Sequence, residues 1–218
     1  NISIGFTGLN EAVQNLTNFE LHENDEGYSL GKRILEYMVA KCNTITERDG
    51  KSYSLWEQPS ESVSNRLAKL DLKHFPKKAI FQSKGKSAYY TNSSHLRYDA
   101  NITLSERIRK QGDYHSIVES GVTHIWMGVQ KPDIQGLWEL TKNICLNTNT
   151  VYFAYTSDFT YCPHCRKMSR GGNFKCHQCH SEDVKVYSRV TGYYSEVNRY
   201  NQGKRAEWEN RRPYKLNF

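Results

Sequence analysis

The chain has 218 residues, a formal net charge of +7 and 37% hydrophobic residues. No apolar run approaches the roughly 18 residues of a membrane-spanning helix, and no basic segment followed by an apolar stretch marks a signal peptide, so membrane and secreted classes are set aside and a cytoplasmic chain is expected. Six cysteines, four of them paired in Cys-x-x-Cys knuckles, suit a reducing compartment better than a disulfide framework. The basic balance favours anionic partners, although the two basic clusters, Arg166 to Lys175 and Lys204 to Arg212, are of the kind that usually forms a solvated face. The first residue is Asn, which is consistent with numbering that begins inside a longer polypeptide.

Residues 1–15 read as a short apolar strand, a turn at Gly8 and the start of a helix with Asn10 as its N-cap. Acidic residues 20–26 read as a loop closed by Gly27. From Ser29 the period becomes helical, with Ile34, Leu35, Met38, Val39 and Cys42 on one stripe. Cys42 therefore reads as a core thiol. Lys51 to Gln58 alternates like a strand, and Ser60 to Phe75 reads as a helix stopped before Pro76.

A basic loop over 77–86 leads to Tyr89-Tyr90-Thr91-Asn92-Ser93-Ser94-His95-Leu96. An aromatic step into Asn-Ser-Ser-His is how a strand passes into a tight turn, where hydroxyls and free N–H groups can hold an anion. A capped turn with a hydrogen-bonded histidine explains the same residues. Leu104 to Gln111 reads as a helix, and Tyr114 to Gly128 as an apolar strand carrying His115 and His124 with a turn at Gly121. Pro132 fits the first turn of a helix through Asn143, with a stripe of Ile134, Leu137, Trp138, Leu140 and Ile144. Cys145 at its end is expected in the core. Val151 to Thr156 is a short strand. Strands alternating with helices define an α/β fold class.

Cys162, Cys165, Cys176 and Cys179 then form two knuckles ten residues apart. Four thiolates match the tetrahedral preference of zinc and fill its shell, so the ion is expected to be structural. His164, His177 and His180 lie in or beside the knuckles as alternative ligands. Two adjacent pairs argue against a redox dithiol, because they would capture a metal first. Thirteen residues after Cys179 comes Gly192, within Ser188-Arg189-Val190-Thr191-Gly192-Tyr193-Tyr194. Taken locally, that is a β-rich segment with a tight turn.

The order of these features resembles one family. A Tyr-Tyr-Thr-Asn-Ser-Ser-His block, a strand into Cys-Pro, two knuckles and Arg-Val-x-Gly-Tyr are similar to the C-terminal third of anaerobic (class III) ribonucleoside-triphosphate reductases. The likeness extends to Ile4-Gly5-Phe6-Thr7-Gly8-Leu9-Asn10-Glu11, to Arg66-Leu67-Ala68-Lys69-Leu70-Asp71 and to Arg199-Tyr200-Asn201-Gln202-Gly203-Lys204. The resemblance implies the C-terminal portion of a ten-stranded α/β barrel over 1–157, a zinc ribbon over 158–184, and a glycyl radical loop with a tail over 185–218.

By that resemblance Gly192 is the glycyl radical site. A backbone Cα radical is flanked by an amide nitrogen that donates electron density and a carbonyl that withdraws it, and only glycine leaves the planar centre unhindered. The family further implies a radical activase that uses S-adenosylmethionine and an iron–sulfur cluster, and a thiyl cysteine on an upstream part absent from this chain. Neither Cys42 nor Cys145 falls at that position. Ribonucleoside triphosphates would be reduced at C2′ to deoxyribonucleotides for DNA replication, with formate or a thiol protein as reductant, in a complete enzyme expected to be a homodimer. A viral source would place it in the cytoplasm of an infected host. Asn92, Ser93, Ser94 and His95 match the family's substrate-phosphate region. Two other functions fit parts of the chain: a stand-alone spare radical domain, and a zinc-ribbon nucleic-acid binder whose basic clusters contact phosphates.

Overall fold

The computed structural model describes residues 1–128, 131–190 and 192–216. Strand β1 (Ile2–Phe6) leads through a left-handed Gly8 into helix α1 (Leu9–Thr17). Helix α2 (Asp25–Asp49) follows, with the Asn24 side chain accepting from the Gly27 N–H at its start and Gly50 in the left-handed conformation at its end. Strand β2 (Tyr53–Glu57) returns parallel to β1, with Ile2 opposite Tyr53 and Phe6 opposite Glu57. Leu55 and Glu57 are buried, whereas Ser54 and Trp56 are exposed, so one face of β2 packs and the other is bare.

Helix α3 (Glu61–His74) stops at the Phe75-Pro76 step, as proline requires. After the turn around Asn92, helix α4 (Leu104–Val118) opens with a reciprocal capping box between Thr103 and Glu106. Strand β3 (Thr123–Trp126), helix α5 (Ile134–Asn147) and strand β4 (Phe153–Thr156) form a second unit, in which β3 and β4 run parallel from Thr123 opposite Phe153 to Trp126 opposite Thr156. The main core gathers Leu9 and Val13 of α1, Leu21 of the connection that follows, Leu35 and Cys42 of α2, Leu55 of β2, Leu96, and Tyr114 and Val118 of α4. Each such side chain contributes about 1.5–3 kcal/mol by leaving water.

The C-terminal part is a four-stranded antiparallel sheet in the order β6-β5-β7-β8, built from β5 (Phe159–Tyr161), β6 (Met168–Arg170), β7 (Lys185–Arg189) and β8 (Tyr194–Glu196). Helix α6 (Gln202–Asn210) packs back so that Ala206 meets Tyr89, Tyr98 and Trp126. No helix among the described residues is long and apolar enough to cross a membrane.

Several sequence expectations are corrected. Asn10 is not an N-cap: Gly8 holds that place without a side-chain bond, and Asn10 turns inward, accepting from the Leu21 N–H at 3.1 Å. Helix α2 begins at Asp25, inside the stretch read as an acidic loop, because Asn24 caps it. Tyr114 and His115 belong to α4 and not to a strand, since the capping box launches a helix that runs past Gln111. Pro132 lies before the N-cap Asp133 rather than in the first turn. On α5 the expected buried stripe is only partly covered: Ile134 and Trp138 are 85% and 62% exposed, and Cys145 is exposed rather than in the core. Cys42 is buried as expected.

Candidate functional site

Two turns bring the four cysteines together. In each, the first cysteine N–H donates to a carbonyl beyond the second cysteine, Cys162 to Lys167 at 3.0 Å and Cys176 to Ser181 at 2.8 Å. The residue after each second cysteine, Arg166 and His180, adopts the left-handed conformation with φ of 58° and 57°. This repeated turn aims four Sγ atoms at one point, all within 4.8 Å of one another. Cys162 and Cys179 sulfurs are 3.5 Å apart, and those of Cys165 and Cys176 are 3.6 Å apart. Those spacings fit the edges of a tetrahedron around zinc, about 3.8 Å for Zn–S bonds of about 2.3 Å. Backbone N–H groups of Cys179 and Gln178 pull the Cys176 thiol down to about 6, while Cys165 and Cys179 in the same cluster are shifted up. Among the described residues this group comprises the four cysteines and none of the flanking histidines.

Gly192 lies in the connection between β7 and β8, where Arg189 is opposite Tyr194 and the Val190 N–H donates to Tyr193 O at 2.9 Å. Thr191 of this motif lies outside the described residues. Gly192 is exposed, and a Cβ built on it would meet nothing within 4 Å. Packing does not require glycine here.

The strand entering this hairpin is held from behind. Tyr200 Oη donates to Ser188 O at 2.9 Å, and Arg211 Nη1 donates to Ser188 Oγ and Arg189 O at 2.9 and 3.0 Å. Ser188 Oγ in turn donates to Asp158, which also accepts from Trp208 Nε1 at 2.8 Å. Arg211 is buried, lies 4.1 Å over the Trp126 ring and pairs with Glu207 at 2.7 Å, and Lys204 pairs with the other Glu207 oxygen at 2.7 Å. Burial alone would raise the Glu207 carboxyl, yet Lys204 and Arg211 hold it below its usual range.

The turn after Tyr90 is pinned to the ends of β1 and β2. Gly8 and Leu9 N–H groups donate to Thr91 O and Ser93 O at 2.9 and 3.3 Å, so these first donors of α1 are spent on the turn. Ser93, with a left-handed φ of 42°, donates to Phe6 O at 3.1 Å and accepts from Gln58 N. Ser94 donates from both its N–H and its hydroxyl to Glu57 Oε1. Both serines are buried under the turn, while Asn92 and His95 line a cavity of 410 Å³ with Glu57, Tyr98, His124 and Val190. The structure thus brings Asn92 and His95 to one space and places Val190, two residues before Gly192, on its wall. A larger hollow of 510 Å³, lined by Glu11, Asp71 and Tyr90, holds none of the expected site residues.

Sequence reasoning named His95, but it gave His115 and His124 no role and missed Glu57. Glu57 ends β2, and burial pushes its carboxyl up to about 8. Burial pulls His95 down to about 3, and pulls His115 and His124 well below the ordinary imidazole value. His95 and His115 Nε2 lie 3.7 and 3.6 Å from Glu57 Oε2. A charged residue closing an alternating strand on its buried side was the available signal, and it is visible only once the inward face of β2 is known.

Fold and site define a mixed α/β protein whose C-terminal antiparallel sheet carries four converging cysteines ahead of helix α6. The model of the family described as anaerobic ribonucleoside-triphosphate reductase matches residues 1–214, and the chain belongs to that family. It is 28% identical over 219 residues to the anaerobic ribonucleoside-triphosphate reductase of Enterobacteria phage T4, covering 94% of this chain and 33% of that protein. The protein of that description from Escherichia coli K12 is 28% identical over 226 residues, covering 96% and 30%. A solved structure of an anaerobic ribonucleotide reductase superposes with a TM-score of 0.82 at 22% identity, covering 97% of this chain and 34% of that one. The chain thus spans about a third of the length of the relatives it matches.

Proposed function

We propose that the chain is the radical-storing C-terminal part of an anaerobic ribonucleoside-triphosphate reductase, with the radical on Gly192. The observation that carries this reading is the cavity: Val190, leading into the Gly192 hairpin, lines the same 410 Å³ space as Asn92 and His95. A glycine that packing does not demand thus follows, two residues on, a residue that shares a cavity wall with the turn that the family resemblance links to substrate phosphate. On this reading 1–157 supplies part of a barrel wall, 158–184 the zinc ribbon and 185–218 the radical loop and its tail.

The thiolates of Cys162, Cys165, Cys176 and Cys179 would hold zinc, which supplies a fixed four-coordinate crosslink and no chemistry. They set the start of β7 relative to β5. Tyr200 and Arg211 fix its end by holding the carbonyls of Ser188 and Arg189. An S-adenosylmethionine activase removes one hydrogen atom from Gly192 Cα. A cysteine thiol on the missing N-terminal part then returns a hydrogen atom to that carbon and becomes a thiyl radical. The thiyl takes the ribose 3′ hydrogen, water leaves from C2′, and formate or a thiol protein supplies the two reducing electrons.

Asn92 and His95 would face the ribonucleoside triphosphate, with Ser93 and Ser94 fixing their turn. The complete enzyme would be a homodimer. Thiolate ligands and an oxygen-sensitive radical both call for a reducing cytoplasm, that of the host if the source is viral.

The test is anaerobic incubation with activase and S-adenosylmethionine, followed by electron paramagnetic resonance. A doublet from one remaining α-hydrogen, lost in Gly192→Ala, together with chain cleavage at Gly192 in air, is the expected result. A wild-type protein that gives neither the signal nor the cleavage overturns the reading.

A further inference from the structure

We propose that Glu57, His95 and His115 form a second metal site, which takes a first-row divalent cation of the imidazole-preferring kind, Zn²⁺ or Fe²⁺, and keeps a coordination position open to the cavity. Three elements converge on it: the end of β2, the turn after Asn92 and the last turn of α4. One ligand atom from each residue lies within 4.8 Å of the other two.

The separations discriminate between a shared proton and a shared cation. His95 Nε2 and His115 Nε2 stand 3.7 and 3.6 Å from Glu57 Oε2. A hydrogen bond between nitrogen and oxygen needs about 2.7–3.2 Å. Two ligands on one tetrahedral ion at about 2.1 Å stand about 3.4 Å apart. The observed gaps exceed hydrogen bonds and approach the spacing of co-ligands.

Partners on the inner and outer sides of the cluster differ sharply. Among the described residues Glu57 Oε2 and His115 Nε2 are buried without a hydrogen-bond partner, although such atoms are ordinarily satisfied. Every outward atom is engaged: Glu57 Oε1 accepts from Ser94, His115 Nδ1 meets Thr123 Oγ1 at 3.3 Å, and His95 Nδ1 meets the Gln111 amide at 3.1 Å. That amide can present either end, so its oxygen can hold the Nδ1 proton of His95 and leave the Nε2 lone pair facing Glu57. Fixed outer partners that orient imidazole and carboxylate are the usual support of a metal ligand.

Space is shaped to match. A Cβ on Gly121, whose φ is +114°, would lie 2.7 Å from the His115 ring, so bare backbone presses on that imidazole and fixes its plane. His115 is fully buried, whereas Glu57 and His95 reach the cavity wall. Two imidazoles and a carboxylate with an open side are a donor set for zinc or ferrous iron. The site shares no ligand with the four cysteines and does not rest on the radical assignment, so the resonance test of Gly192 and a metal count stand or fall separately.

The experiment loads the whole chain with Co²⁺ under anaerobic conditions and counts bound metal. Thiolate sites give intense charge-transfer bands, whereas a nitrogen and oxygen site gives only weak ligand-field bands, so the two report separately. Wild type is expected to bind about two ions per chain and Glu57→Gln about one, with the thiolate bands unchanged. If Glu57→Gln loses the thiolate bands through misfolding, His95→Asn at the cavity rim is read in its place. Competition of Zn²⁺ against Fe²⁺ then decides the preferred ion. A wild-type protein that binds one ion through thiolates alone overturns the proposal, as does a folded variant that binds as much metal as wild type.

Discussion

Arg211 donates to the carbonyl oxygen of Arg189 at 3.0 Å, which ties the segment beyond α6 to the strand that enters the Gly192 hairpin. The guanidinium is buried and also holds Ser188 Oγ and Glu207. Replacing Arg211 with Met leaves Glu207 with Lys204 as its one cationic partner among the described residues and frees two acceptors. Breaking a buried pair from one side costs about 3–5 kcal/mol. Hydrogen exchange should show early loss of protection over 186–196. Unchanged protection there would mean that the hairpin is held by its own sheet.

The same triad sets an acid limit. Glu207 sits below its ordinary value of 4.5 because Lys204 and Arg211 outweigh its burial. A folded-state pKa below the unfolded one gives stability that is complete above 4.5 and drains as the pH falls through the folded value. Denaturation of wild type should therefore steepen below pH 4.5, and Glu207→Gln should flatten that limb while lowering stability at neutral pH. Parallel curves for the two proteins would remove Glu207 from the acid transition.

Glycines with opposite surroundings make a paired test. A Cβ at Gly192 meets nothing within 4 Å, whereas one at Gly31 would lie 2.6 Å from Leu21 and 3.1 Å from Tyr114. Gly31→Ala should cost about 1–3 kcal/mol through overpacking, while Gly192→Ala should leave the melting temperature unchanged. A large loss of stability in Gly192→Ala would assign that glycine a structural role.

Much of the fold was legible because local signals agreed with it. The alternation of Lys51 to Gln58, the proline after Phe75 and the paired knuckles each appear where expected. The misses share one cause: local rules were overruled by partners far along the chain. Asn10 looked like a cap but serves the Leu21 backbone, and the Thr103–Glu106 box carried α4 past the point where its apolar period weakens. On α5, Trp138 and Ile134 kept the helical stripe without a surface to cover it among the described residues. The Asn92 turn was found as a turn, yet nothing in its letters told that Ser94 faces a carboxylate from β2.

That contact gives a further prediction. Ser94→Ala removes the hydroxyl donor to buried Glu57 and leaves one backbone N–H on Oε1. Loss of a buried partner of this kind costs about 1–3 kcal/mol, and chemical denaturation should report it. Ser93→Ala and Ser94→Ala in the reconstituted enzyme should also weaken triphosphate binding by displacing Asn92 and His95. Wild-type affinity in stable variants would separate the turn from the substrate.

Zinc content gives the last. Cys162→Ser removes one of four converging sulfurs, so the protein should lose its thiolate-bound zinc, and the β5–β6 hairpin should become open to proteases. Full zinc retention would mean that a flanking histidine completes the shell.

Tyr200 and Arg211, which fasten Ser188 and Arg189, lie later in the chain than the hairpin they secure. On the ribosome Gly192 is therefore made before its clamp. A nascent chain carries a loose hairpin until α6 has emerged and folded back, and any premature stop between the two yields a protein with the glycine but without its fastening. The order of synthesis thus makes the anchored hairpin a mark of a chain translated through Arg211.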